Sequence, residues 1–235
     1  MIVQEALEHN IDIIAITDHN ASANVAAVQK AAHGTSLTVL GGMEVQSRED
    51  VHLLCLLIIP KHLQSGNPLW MLPCPTHKQR RIFGEQFVVD ESGEFIRNEP
   101  RMLLTSTHFS IDEIFERVNA LGGLVIPAHV DRTSYGLFPT LGLLSDKWQI
   151  LALEISRHIT PERAAITFPS IKDIPLIQNG DVHRLDEFLA KQFYLPSHRW
   201  PRSEWHYEMK TSEWSISNRH KLTDNLHQSA YDIGH

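Results

Sequence analysis

Cysteine is almost absent: Cys55 and Cys74 are the only two among 235 residues. One lies in an apolar stretch and the other among prolines, so they build neither a disulfide framework nor a zinc-finger spacing. Cys55 reads as core packing. Long apolar runs are also lacking, and none reaches the roughly 18 to 20 residues that span a bilayer. The opening MIVQEALEHN has no basic segment followed by an apolar one, as a secretory signal would. The expectation is a cytoplasmic protein with no membrane attachment. Positive charge is in deficit too, with 21 Lys and Arg against 28 Asp and Glu and a formal net charge of −7. This argues against a broad nucleic-acid surface and leaves room for a local anion site. Nothing in the sequence sets the oligomeric state.

Histidine, by contrast, is abundant. There are fifteen, and imidazole is the commonest metal ligand in proteins. Residues 11–20, IDIIAITDHN, read as a short buried strand that ends in Asp18, His19 and Asn20. Its unbroken apolar run suits a parallel strand covered on both faces, and the carboxyl ends of such strands are where α/β folds build sites. The plainer reading is a turn and helix cap. Residues 2–9 predict a helix before this strand, and Ser22 is expected to cap a second one ending near residue 32. Residues 37–40 predict a strand leading into GGMEV, with Glu44 at its end. The apolar run VHLLCLLII, residues 51–59, begins with His52. The link 46–50 is too short for a parallel crossover, so an antiparallel hairpin should bring Glu44 and His52 to the same end. Outside such a setting, a histidine in an apolar run is a hydrogen-bonded core residue.

Prolines mark residues 60–75 as a loop, and 86–90 with 94–98 flank Glu91-Ser92-Gly93 as a surface hairpin, all within an insertion of about residues 60–108. Ser110 and Glu113 form a capping box for an amphipathic helix closed by Gly122-Gly123. Strands at 124–126, 151–155 and 174–178 then empty into His129, into Ser156-Arg157, and into Asp181-Val182-His183. Asp181 and His183, two apart in extended chain, point the same way. Thr160-Pro161 starts another helix. Residues 196–235 keep no period and are expected to be disordered or loosely docked. The rest, residues 1–195, reads as one α/β domain.

Asp18, His19, Glu44, His52, His129, Asp181 and His183 thus fall at or near strand ends expected to face one mouth. Carboxylates mixed with imidazoles suit Zn²⁺, Mn²⁺ or Fe²⁺, and a carboxylate such as Glu44 can bridge two ions. Clustered divalent ions lower the pKa of bound water and neutralise charge on a phosphoryl group, so the implied chemistry is hydrolysis. Arg132, Arg157 and Arg184 each sit just past a strand end. They are either phosphate clamps or arginines in surface ion pairs.

TDHN at 17–20, GGMEV at 41–45, EDVHLLCLL at 49–57, GGLVIPAHVDR at 122–132 and NGDVH at 179–183, in that order, resemble the PHP (polymerase and histidinol phosphatase) family of metal-dependent phosphoesterases. The resemblance covers about residues 1–195. It implies a distorted seven-stranded β/α barrel with up to three zinc, manganese or iron ions at its carboxyl mouth. Glu44 would bridge two ions, His52 and His129 would complete one, Asp181 would serve the other, and His19 with His183 would hold a third. Asp18 matches a position that usually lies behind the ligands, and with Arg132 it makes the expected catalytic pair. Members begin with a strand ending in an Asp-Leu-His-x-His-type motif, followed shortly by a further His, and nothing upstream of the first helix here matches it. The expectation is a barrel without its first strand, binding fewer ions, in which only the Glu44, His52, His129 site is whole. The resemblance implies hydrolysis of a small phosphorylated substrate, a phosphomonoester or a nucleotide or oligonucleotide, with the shortened chain itself expected to be weak or inactive. The alternative is a non-catalytic regulatory protein that binds a metal or a phospho-ligand.

Overall fold

The computed structural model describes residues 1–57 and 84–190; the proline-rich loop, Cys74 and the tail lie outside them. In chain order the elements are α1 (Ile2–Glu8), β1 (Ile13–Ile16), α2 (Val25–Ala31), β2 (Thr38–Gln46), β3 (His52–Leu57), β4 (Phe87–Val89), β5 (Phe95–Asn98), α3 (Ile111–Ala120), β6 (Leu124–Pro127), α4 (Leu137–Leu141), β7 (Leu153–Glu154), α5 (Pro161–Thr167) and β8 (Leu176–Ile177), with 3₁₀ turns at Pro169–Ile171 and Leu185–Ala190.

The short link after β2 forces the next strand back antiparallel, and β2 and β3 pair from Gly41 opposite Leu57 to Gln46 opposite His52. β1 lies parallel to β2, and β6 lies antiparallel to β3, giving a mixed sheet of order β1-β2-β3-β6. β7 and β8 form a separate parallel pair, and β4 with β5 makes the expected hairpin. β7 joins the main sheet just beyond its end, where the Val130 N–H donates to the Glu154 carbonyl at 2.8 Å. The α/β class is as expected. Among the described residues, the strands do not close into a seven-stranded ring.

Alternation along β2 and β3 sends Met43, Val45, Leu53 and Cys55 into one core, against Ile111, Ile114, Phe115 and Val118 of α3 and Leu153 and Ile155 around β7. α3 opens with the expected capping box: Ser110 Oγ accepts from the Glu113 N–H at 3.2 Å, and Glu113 Oε2 accepts from the Ser110 N–H at 2.8 Å. α2 starts later than expected. Its first residue is Val25, and no side chain caps it. Asn24, at the cap position, is used elsewhere: its amide donates to Asp18 Oδ2 at 3.0 Å and to the Phe87 carbonyl at 3.3 Å, and its Oδ1 accepts from the Val89 N–H at 3.1 Å. The hairpin is thereby pinned beside the carboxyl end of β1. Among the described residues, no helix is long and apolar enough to cross a membrane.

β2 continues through Gly41 and Gly42 and so runs well past the expected residue 40. A Cβ on Gly42 would lie 2.4 Å from the Cys55 carbonyl oxygen, so the glycine sets the spacing of β2 and β3 two residues before Glu44. Gly42→Ala should cost about 1–3 kcal/mol through overpacking, read as a lower urea midpoint. An unchanged midpoint would show that this close approach is not needed.

Candidate metal centre

β1, β2 and β6 deliver their carboxyl ends to the same edge of the sheet, and antiparallel β3 delivers its amino end there. The residues just after β1 extend this edge. His19 bridges to Glu44 in parallel register, and the Asn20 N–H donates to the Glu44 carbonyl at 2.8 Å. Glu44 is buried and takes imidazoles on both oxygens: His52 Nδ1 at 3.1 Å and His129 Nε2 at 3.2 Å from Oε1, and His19 Nδ1 at 3.2 Å from Oε2. Burial alone would raise its pKa. The hydrogen bonds from His129 and His52, with the fields of His52 and His19, outweigh it and hold the carboxyl far below the ordinary range. His129 is shifted upward, because its bond to Glu44 overcomes the burial that opposes its charge. His19 is shifted downward by burial, which Glu44 only partly offsets.

Donor atoms of His19, Glu44 and His52 all lie within 4.8 Å of one another. Ligands of a tetrahedral zinc at about 2.0–2.1 Å are themselves about 3.3 Å apart, close to the separations around Glu44. Two imidazole nitrogens, Nε2 of His52 and Nδ1 of His129, are buried without a hydrogen-bond partner, although buried polar atoms are ordinarily satisfied. The mixed nitrogen and oxygen set fits a divalent ion of the zinc, manganese or iron type. His129 adjoins the same group, through its contact with Glu44 and edge-on against His52 with ring centroids 5.3 Å apart.

The remaining expected residues divide. His183 is exposed, with its ring centroid 5.8 Å from that of His19. Asp181 is bonded to Arg132, Nη1 to Oδ2 at 2.7 Å, with side chains 33% and 39% exposed, so Arg132 occupies one carboxylate oxygen of an expected ligand. Arg157 and Arg184 are exposed, and neither touches Glu44 or its histidines among the described contacts. Asp18 accepts the Asn24 amide and is raised by burial, against that bond and the field of His19.

Three structural parts of the site were not read from the sequence. Asn20 is fully buried in left-handed backbone at φ 47°; its amide donates to the Leu103 and Thr105 carbonyls at 2.8 Å, and its Oδ1 accepts from the Gln46 N–H at 3.0 Å. Tyr135, also left-handed at φ 62°, stacks on His52 with centroids 4.4 Å apart and accepts the His52 N–H at 3.0 Å. Glu154 is buried beside His129, its pKa pushed up to about 7 chiefly by burial. Left-handed backbone at non-glycine residues is costly and gathers at functional sites, and here it marks Asn20, His129, Tyr135 and Asp181.

No family model and no curated relative matches the sequence. Solved structures do. The lesion-specific endonuclease PfuEndoQ from Pyrococcus furiosus matches at 17% identity and a TM-score of 0.55, over 79% of this chain and 44% of that one. Endonuclease Q bound to a 27-mer duplex with an abasic lesion at its active site matches at 17% and 0.56, over 78% and 44%. The PHP resemblance holds at the level of fold. A protein from Bifidobacterium adolescentis, provisionally named a metal-dependent phosphoesterase, matches more distantly, at 17% identity and a TM-score of 0.46 over 83% of this chain and 84% of that one. The chain spans less than half the length of the endonuclease chains.

One expectation is overturned. The charge balance argues against a broad nucleic-acid surface and the family resemblance implies a small phosphorylated substrate, yet a protein of this fold holds duplex DNA. Net charge sums over the whole chain, whereas a nucleic acid responds to the local field along its path.

His19→Ala removes one of three grouped donors. It should lower bound zinc or manganese, measured by elemental analysis after dialysis, by about 10-fold or more, while Arg157→Ala leaves it unchanged. Equal metal in His19→Ala and the unsubstituted protein would remove His19 from the site.

Proposed function

We propose that the chain is the catalytic part of a metal-dependent phosphoesterase that cleaves phosphodiester bonds in nucleic acid. The observation that carries this reading is the His19, Glu44, His52 group at the converging strand ends. The fold shared with Endonuclease Q supports the substrate class. Residues 1–195 would make one catalytic unit built on the four-stranded sheet.

His19, Glu44 and His52 would hold the ion, with His129 against Glu44 and with Asp181 and His183 at the outer rim. The bound ion would act as a Lewis acid and lower the pKa of a coordinated water. Glu44, kept ionised by its histidines, supplies the negative charge that a divalent cation needs in a buried place. Arg132, partly in solvent and anchored by Asp181, would meet a phosphate with its remaining N–H groups. Asp18, tied to Asn24, fixes the loop that carries His19. Arg157 and Arg184 would act further out, on flanking phosphates.

The test is cleavage of single-stranded, duplex and abasic duplex oligonucleotides with Mn²⁺ or Zn²⁺. Cleavage of at least one of them should stop with chelator and return with metal, and Glu44→Gln should lower it by more than about 100-fold. Cleavage that survives chelation, or that Glu44→Gln leaves intact, would overturn the reading.

A further inference from the structure

Glu154 has no part in the ligand set above, yet it is among the most buried charged residues described. Its orientation follows from strand periodicity. Leu153 and Ile155 on either side of it belong to the main hydrophobic core, so the side chain between them projects to the opposite face of β7, toward His129. There its Oε2 accepts the His129 N–H at 3.0 Å, and its own carbonyl accepts the next N–H, that of Val130, at 2.8 Å. One residue therefore takes two successive amides of the turn after β6.

That turn needs holding. His129 has φ 29°, in the left-handed region that residues with a Cβ rarely adopt. The neighbouring residues are also held: the Ala128 N–H donates to the His52 carbonyl at 3.0 Å, and the Asp131 carboxylate accepts the Ser156 N–H and hydroxyl, each at 2.6 Å. Strained backbone persists only where its surroundings over-determine it. The consequence reaches the site directly, because the other end of His129 places Nε2 3.2 Å from Glu44 Oε1. An apolar residue at position 154 would leave a buried amide unpaired and release the turn.

We propose that Glu154 is a positioning residue for His129: by accepting the His129 amide it fixes the imidazole against Glu44 and so sets the affinity of the metal centre. The inference rests on the metal reading of Glu44. What matters is an acceptor oxygen at the right reach rather than the charge, which gives a test that simple destabilisation does not mimic. Glu154→Gln keeps the oxygen and the length; Glu154→Asp keeps the charge and shortens the reach; Glu154→Ala removes both. Zinc affinity would be measured by competition with a chromophoric chelator, and folding of the metal-depleted proteins by circular dichroism. Glu154→Ala and Glu154→Asp should bind zinc about 10- to 100-fold more weakly, and Glu154→Gln within about threefold of the unsubstituted protein. If the alanine variant does not fold, the aspartate and glutamine pair carries the comparison. Folded aspartate or alanine variants with unchanged affinity would overturn the proposal, as would a glutamine variant as weak as the aspartate one. Glu44→Gln serves as the control: if it also leaves zinc affinity unchanged, the metal reading itself fails, whereas a loss there with no effect at Glu154 sinks this inference alone.

Discussion

A single carboxylate organises this molecule. Glu44 is buried where a lone negative charge would be expensive, and it is tolerated because three imidazoles from three segments converge on its two oxygens. Each imidazole depends on a different strand end: His19 on the extension of β1, His52 on the first residue of β3, and His129 on the turn after β6. The sheet order β1-β2-β3-β6 is the arrangement that lets those ends meet around one residue of β2. Gly42, which allows β2 to approach β3, and Asn20, which ties the end of β1 to residues 103–105 and Gln46, serve the same convergence.

Much of this was legible in the sequence, for reasons that differ from residue to residue. The β2–β3 hairpin followed from chain length alone, since five link residues cannot make a crossover. The capping box at Ser110 followed from local chemistry, and the hairpin around Glu91-Ser92-Gly93 from its turn residues. The extents of β2, β7 and β8 did not follow. Pairing partners decide where a strand stops, and β7 and β8 pair with each other over only two residues.

At the site, residue types were easier to read than partnerships. His19, Glu44, His52 and His129 do come together, but the sequence did not foretell that His19 would share one carboxylate with His52 and His129, or that Arg132 would hold Asp181. Glu154 was missed although a signal existed: in LALEI a carboxylate alternates with core leucine and isoleucine at a strand end, which places it on the face where the site is built. Net charge could not exclude a nucleic-acid partner, because it averages over a surface that meets a ligand only locally.

The central claim is that Glu44 is the hub of a metal centre. Anomalous diffraction at the zinc edge, on crystals grown with zinc, tests it most directly. The account predicts a peak within about 2.0–2.2 Å of a Glu44 oxygen and of imidazole nitrogens from His19 and His52. Zinc bound only at other residues, with Glu44 still held by its histidines alone, would contradict it.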